Sequence, residues 1–406
     1  MSSINRLSRL EGASFCNDIT ISSLPPEILA HIFSLHRNLG SRQIWSDMTS
    51  PSIRVSHVSR MWRDTALSMP WLWTVLTSPL PRSKSFIEAP SHTKAFYDTM
   101  VARSKDTLLG ISIQLDTLSN ERPGHTMLVE IVISHAHRLG HLWISAPWRF
   151  LIHHMPTLHG LSSPQLTHML VANAEANESM TLEHDRQRIG RIFTGGAGKL
   201  QHFEGAKIGP LFQPPLCSLT SMTLFLDTPV SYGVLCSILS EAAPALVQLH
   251  MLLSFIINPT RLSSCATMPV LATMTIISRR DTTFATIEMI RAPSLRVLDL
   301  LLVQYGNDQD LHHQRHVPIY GSTADRYPSL DELRLRGFLE RGLLAPFPTI
   351  TQLIIDDIRP PTELHKIFDP QQPGFSSLLP GLRLIAAPPR FDQDIQDFFA
   401  ARMKTE

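Results

Sequence analysis

The chain is short of cysteine. Cys16, Cys217, Cys236 and Cys265 are scattered over 406 residues and no two of them form a CxxC pair. A disulfide framework or a zinc ribbon needs closely spaced, paired thiols, so neither organises this protein, and the cysteines read as small buried thiols of a reducing compartment. An excess of either charge is also lacking: 36 Lys and Arg face 35 Asp and Glu, for a net charge of +1. That balance gives no electrostatic ground for nucleic acid or an acidic membrane as partner. Long apolar runs are missing too. The most apolar stretch, Leu246 to Ile257, is interrupted by Gln248, His250 and Ser254, whereas a membrane-spanning helix needs about twenty apolar residues. Met1 to Ile19 holds no apolar segment of the secretory kind, so the sequon Asn177-Glu178-Ser179 reads as chance. The expected location is the cytoplasm, the nucleus or both, without membrane contact.

Recognisable catalytic and cofactor motifs are equally scarce. Gly195-Gly196-Ala197-Gly198-Lys199 invites comparison with a phosphate-binding loop, but Phe193 and Leu200 stand where that loop needs a glycine and a Ser or Thr. His312, His313 and His316, beside Asp308 and Asp310, form the densest histidine group, yet their loop-like surroundings offer no second ligand cluster, and His153-His154 reads the same way. No nucleophile elbow, His-Glu-x-x-His helix or dinucleotide fingerprint occurs. The chain is expected to be non-catalytic, with no cofactor and no metal.

What the chain has is apolar residues at 43% and thirty prolines, the make-up of a globular protein with short, punctuated connections. Its length suits about two or three structural units. Residues 1–18 are polar and aperiodic and read as a flexible tail. Order starts at Ile21-Ser22-Ser23-Leu24-Pro25-Pro26-Glu27: prolines cost little at the start of a helix, and Glu27 complements the dipole of the first turn. Ile28, Leu29, Ile32, Phe33 and Leu35 then recur at helical spacing as one apolar stripe. A second helix is expected from Ser52 to Leu67, with Val55, Val58, Trp62 and Ala66 on one face. It should stop before Pro70, and Trp71-Leu72-Trp73 comes at once after it.

The order of these elements resembles the F-box, particularly as found in fungal F-box-like proteins. The motif carriers are Leu24, Pro25, Glu27, Ile28 and Leu29, then Val58, Trp62 and Arg63, then Leu72 and Trp73. The resemblance covers residues 19–76. It departs from the family in a longer segment, Arg37 to Pro51, and in Ser56 and Ser59 where cysteines are often found. The resemblance implies a module that binds the Skp-family adaptor of a cullin–RING ubiquitin ligase through Leu24, Pro25, Ile28, Leu29, Ile32, Phe33, Val55, Val58, Trp62, Leu72 and Trp73. Physics agrees, because a unit of about sixty residues buries too little surface to satisfy all these side chains alone.

Residues 77–105, with Pro79, Pro81 and Pro90 among serines, read as a linker. From 106 to 400 a degenerate repeat of the form Φ-x-x-Φ-x-Φ (Φ apolar) appears. Its copies are Leu108-Ile111-Ile113, Leu139-Leu142-Ile144, Leu166-Met169-Val171, Leu219-Met222-Leu224, Leu246-Leu249-Met251 and Leu271-Met274-Ile276. Three more are Leu295-Leu298-Leu300, Leu330-Leu333-Leu335 and Ile350-Leu353-Ile355, with a broken copy at Leu200 to Phe203 and a terminal one at Leu382 to Leu384. Pro164, Pro244, Pro269, Pro293, Pro328, Pro348 and Pro380 precede the first apolar position by two residues, where they would end a helix and admit a strand. Helices are expected between strands at Tyr232 to Ala243, Thr282 to Arg291 and Thr362 to Phe368.

The expected fold is thus α/β: a small N-terminal helical F-box followed by an irregular leucine-rich-repeat-like solenoid. The alternative is a single α/β domain whose strands merely look alike. The implied function is a substrate-recognition subunit of an SCF-type ligase, binding the adaptor, through it a cullin, and an unknown protein target. A non-ligase repeat scaffold is the second reading. Outward strand positions Asp299, Glu332, Arg334, Arg336 and Asp356 are the expected target contacts, because arginine forks pair well with carboxylates.

Overall fold

The computed structural model describes residues 24–38, 51–78, 90–115, 123–175, 190–208, 212–227, 230–254, 256–257, 266–303, 325–337, 344, 347–358 and 379–403. The expected tail at 1–18, most of the long segment from Arg37 to Pro51, the His312 group, the sequon, Cys16, Cys265 and the helix expected at 362–368 lie outside the described residues.

Three helices open the chain: α1 (Pro26–Asn38), α2 (Pro51–Ser56) and α3 (Arg60–Leu67), followed by a 3-10 turn at Pro70–Trp73. The single helix expected from 52 to 67 is two. Ser59 is extended and its hydroxyl accepts the Trp62 N–H at 3.2 Å, capping α3, a role for which serine competes strongly with helix continuation. The 3-10 turn runs almost directly into β1 (Val75–Thr77), so the helical module is joined to the first strand without a spacer.

The linker expected at 77–105 is corrected in the same way. Its second half is the helix α4 (Pro90–Ser104), with Tyr97 and Met100 buried and the Tyr97 hydroxyl donating to the Thr77 carbonyl at 2.9 Å. Pro90 marks the start of a helix, where its missing N–H costs nothing. The chain continues through β2 (Leu109–Gln114), α5 (Pro123–Ser134), β3 (Leu139–Ala146), α6 (Trp148–His154), β4 (His168–Asn173), β5 (His202–Ala206) and β6 (Ser221–Leu226). Next come β7 (Val230–Ser231), α7 (Tyr232–Ala242), β8 (Gln248–Leu253), β9 (Ile256–Ile257), β10 (Ala266–Thr267), β11 (Thr273–Ser278), α8 (Arg280–Met289) and β12 (Ile290–Arg291). The last elements are β13 (Val297–Leu302), β14 (Glu332–Gly337), β15 (Gln352–Ile358), β16 (Leu384–Ala386) and a helix at Asp392–Met403.

Twelve of these strands form one wholly parallel sheet in chain order, β1-β2-β3-β4-β5-β6-β8-β11-β13-β14-β15-β16, while β7 pairs with β9 and β10 with β12. The architecture is mixed α/β. From β5 onward, entry into each strand of this sheet is made the same way: two successive N–H groups share one carbonyl of the preceding unit. Arg296 and Val297 donate to Ala272, Asp331 and Glu332 to Arg296, and Thr351 and Gln352 to Asp331, at 2.9 to 3.2 Å. Before that entry the chain turns. The residue ahead of the proline accepts from the residue after the turn, as in Leu295 N–H to Ala292 and Leu330 N–H to Tyr327, both 3.1 Å. The proline therefore occupies the second position of a β-turn, which its fixed φ suits; ending a preceding helix is not its main task.

The repeat's apolar positions make the core. From Leu139 to Ile355 every member of the regular copies is buried, at 3% exposure or less, because residues two apart on a strand share a face. The ends differ. Leu108 is exposed at 46% and Leu109 takes its place inside; Leu384 is exposed at 50% and Ile385 is buried. In α7, Leu235, Ile238 and Leu239 face inward as expected, but Val234 faces out and Cys236 replaces it. Along β3 to β15 the alternate strand positions keep partial exposure, so among the described residues no layer covers that side. Parallel sheets are usually covered on both faces, and this one presents an open face.

Candidate functional site

Two surfaces stand out, one on the helical module and one on the open face. In the module, α1 carries two apolar stripes where one was expected. Leu29 and Phe33 point inward, and the Phe33 ring meets Trp62 edge-on at 5.4 Å. Ile28, Ile32 and Leu35, spaced i, i+4, i+7, lie on the outside at 48%, 39% and 48% exposure. Val58, in the turn between α2 and α3, is exposed at 54%. Trp62, Ala66 and Trp73 are core; the Trp73 indole N–H donates to the Ala66 carbonyl at 2.9 Å, and the Arg103 guanidinium stacks 4.4 Å from its ring.

The eleven expected adaptor contacts therefore divide. Leu29, Phe33, Trp62 and Trp73 are inside and hold the module together. Pro25, Ile28, Ile32 and Val58 are exposed, and Leu24, Val55 and Leu72 are half-buried against the core. Leu35 and Leu67, exposed at 48% and 38%, join the outer set without having been expected there.

All five expected target contacts lie on the open face of three adjacent strands, Asp299 on β13, Glu332, Arg334 and Arg336 on β14, and Asp356 on β15. Their charges are matched among themselves. Arg336 makes a two-pronged pair with Asp299, Nε to Oδ1 at 3.2 Å and Nη2 to Oδ2 at 2.6 Å. Arg334 pairs with Glu332 along its own strand, and that hydrogen bond is the first cause of its raised pKa. Asp356 sits opposite Arg336 in register and is exposed.

The open face holds a second group that the motif search in the sequence missed. His141, His168 and His202 stand in register on β3, β4 and β5. Their rings stack with centroids 4.6 and 4.3 Å apart and planes within 12° and 21°. The Thr167 hydroxyl donates to the Gly140 carbonyl at 3.0 Å and so accepts from the His168 Nδ1–H at 2.9 Å, which assigns the tautomer. Burial first, then the flanking His141 and His202, push the His168 imidazole down from 6.5 to about 4. His250, further along the face, is also lowered by burial, with Asp299 opposing and Arg336 adding to the effect. The signal was present: in three successive units a histidine directly precedes the second apolar position, as in His141-Leu142, His168-Met169 and His202-Phe203.

Neighbouring units repeat a different feature. Phe225, Leu252, Ile277 and Leu301 each come directly after the last apolar position of the repeat on β6, β8, β11 and β13, and are adjacent in register. They form a partly exposed apolar row across four strands.

The remaining chemistry-bearing residues have structural roles. Gly195 lies where a Cβ would come within 2.9 Å of the Gly160 and Leu161 backbone, Gly196 has a φ of +118°, and the Lys199 ammonium donates to Gln165 at 2.7 Å. His154 is buried with its ring 4.2 Å from Phe150. Cys217 is exposed and Cys236 buried, and neither is in a disulfide. Among the described residues no group of three or more His, Cys, Asp or Glu is arranged to hold a metal ion, and no helix is long and apolar enough to cross a membrane. No family model matches the chain, and no curated protein matches it.

Proposed function

We propose that this chain is the substrate-recognition subunit of an SCF-type cullin–RING ubiquitin ligase. It is a non-catalytic receptor whose F-box helices bind a Skp-family adaptor and, through it, a cullin. Its irregular leucine-rich-repeat-like solenoid binds a protein target. The observation that carries this reading is the second stripe of α1. Ile28, Ile32 and Leu35 stay exposed on a module that already has a core in Leu29, Phe33, Trp62 and Ala66. Grouped exposed apolar side chains mark contact surfaces, and the best anchors of such surfaces carry most of the binding energy.

The second half of the proposal is supported by strands that succeed one another in chain order, the quasi-linear build of repeat proteins, in which each unit packs on its neighbours. It is supported further by the open face, whose mixture of apolar, charged and imidazole groups suits a protein surface better than a polyanion.

The test is binding of purified Skp-family adaptor to the full chain carrying Ile28→Asp with Ile32→Asp. Both side chains face outward, so the fold is kept, which an unchanged circular dichroism spectrum verifies. Loss of two anchors worth about 2 kcal/mol each predicts binding weaker by about 900-fold. Wild-type affinity in the folded double variant overturns the assignment.

A further inference from the structure

We infer that the open sheet face takes an uncharged, apolar segment of a partner protein, laid across the strands along the line from Ser145 to Leu301. This inference rests on reading that face as the target-docking surface. The line is one register row. Ser145, Ala172 and Ala206 on β3, β4 and β5 lead into Phe225, Leu252, Ile277 and Leu301 on β6, β8, β11 and β13, each opposite the next. All of them keep partial exposure. From β3 to β13, at about 4.8 Å per strand, the row runs about 29 Å, the reach of about eight or nine extended residues.

The lack of open charge decides the chemistry of the partner. The row itself holds no ionisable side chain. The row beside it on the same strands holds two carboxylates, Glu204 and Asp299, and no lysine or arginine. Neither carboxylate is free. Glu204 has an interaction of its own, and Asp299 is held by both prongs of Arg336. His250 lies in that second row too; burial pushes it towards its neutral form, and its ring meets Phe225 edge-on at 5.6 Å. The imidazole ladder stands one row further away, at the opposite edge of the face. Where the apolar row reaches β14 it meets Arg336, and that guanidinium is already closed on Asp299.

A partner that set a lysine or glutamate on this row would bury the charge against aliphatic and aromatic carbon without a free counter-ion. Opening the Arg336–Asp299 pair to supply one would leave the other member unmatched. An uncharged apolar segment meets neither cost, and it gains from covering Phe225, Leu252, Ile277 and Leu301. The row therefore selects against charged segments of either sign through what it lacks.

The probes are three synthetic peptides of about nine residues, capped at both ends, with one leucine-rich sequence and a central serine, lysine or glutamate. Each is titrated by fluorescence anisotropy into the full chain. The serine peptide is expected to bind more tightly than either charged one by about tenfold or more, and to hold its affinity from about 0.05 M to about 0.5 M salt. Ile277→Asp should weaken the serine peptide by about tenfold or more and turn the preference towards lysine. Ile277→Ser, which keeps the row uncharged, should weaken it without that turn. Circular dichroism verifies that both variants are folded. A lysine or glutamate peptide that binds the wild type as tightly as the serine peptide overturns the inference, in favour of a cationic or an anionic partner respectively. Failure of the serine peptide to bind, affinity that falls as salt rises, or undiminished binding to folded Ile277→Asp overturns it as well. Adaptor binding, measured on the same preparations, reports separately on the proposed function.

Discussion

His168 shows how much one residue's surroundings decide. Its ring is held between two other imidazoles on neighbouring strands, and its Nδ1–H is already committed to Thr167. A proton on Nε2 would put a positive charge in a partly buried place beside His141 and His202. The folded pKa of about 4 lies below the ordinary 6.5, so between those values the unfolded chain binds more protons than the folded one. Stability then rises with pH across that window, and acidification from 6.5 towards 4 weakens the fold. Urea midpoints measured from pH 7 to pH 4.5 should fall steadily, and His168→Gln should flatten the fall. A midpoint that holds steady across the range in the wild type would contradict this account. At the same scale, composition identified outward charges but not their partners. Arg336 and Asp299 are 37 positions apart in sequence, and only the register of β13 on β14 brings them together.

Elements were legible where their period was strong and obscure where a single residue interrupted it. The Φ-x-x-Φ-x-Φ pattern located the strands because its last two positions share a face. The same reading misplaced one position near each end: Leu109 aligns with Leu139 and is followed by a register shift, which leaves Leu108 outside, and Ile385 rather than Leu384 is buried. The helix expected over 52–67 broke at Ser59 because a hydroxyl that caps a helix start also ends the one before. The linker was misread because prolines and serines describe a helix start as well as a loop. In α1, sequence put five apolar residues on one stripe, and packing separated Leu29 and Phe33 from Ile28, Ile32 and Leu35.

Strand ends carry their own constraint at Gly337. There φ is +87°, the register of β14 on β15 shifts, and a Cβ would collide with the Leu302 carbonyl oxygen. Gly337→Ala adds backbone strain of about 1–3 kcal/mol and also pushes β13 away from β14. Its thermal midpoint should drop, and the Asp299–Arg336 pair should loosen with it. A variant as stable as the wild type would show that this strand end tolerates a side chain.

At the scale of the molecule, chain-order parallel pairing makes the sheet one continuous surface, with the helical module joined in sequence directly to its first strand. The module offers an apolar patch at one end, and the open face offers a second surface of different chemistry. Two dissimilar surfaces on one chain suit a protein that holds two others. The proposed function requires that the first of them recruit a ligase. Whether it recruits a ligase or serves a scaffold is decided by cullin, which the first arrangement includes and the second lacks. The most direct measurement is the mass, by size-exclusion chromatography with light scattering, of purified chain mixed with Skp-family adaptor and cullin. The expected result is a single species containing one copy of each, lost on Ile28→Asp with Ile32→Asp. Adaptor and cullin eluting together, with the chain apart from them, would contradict the account.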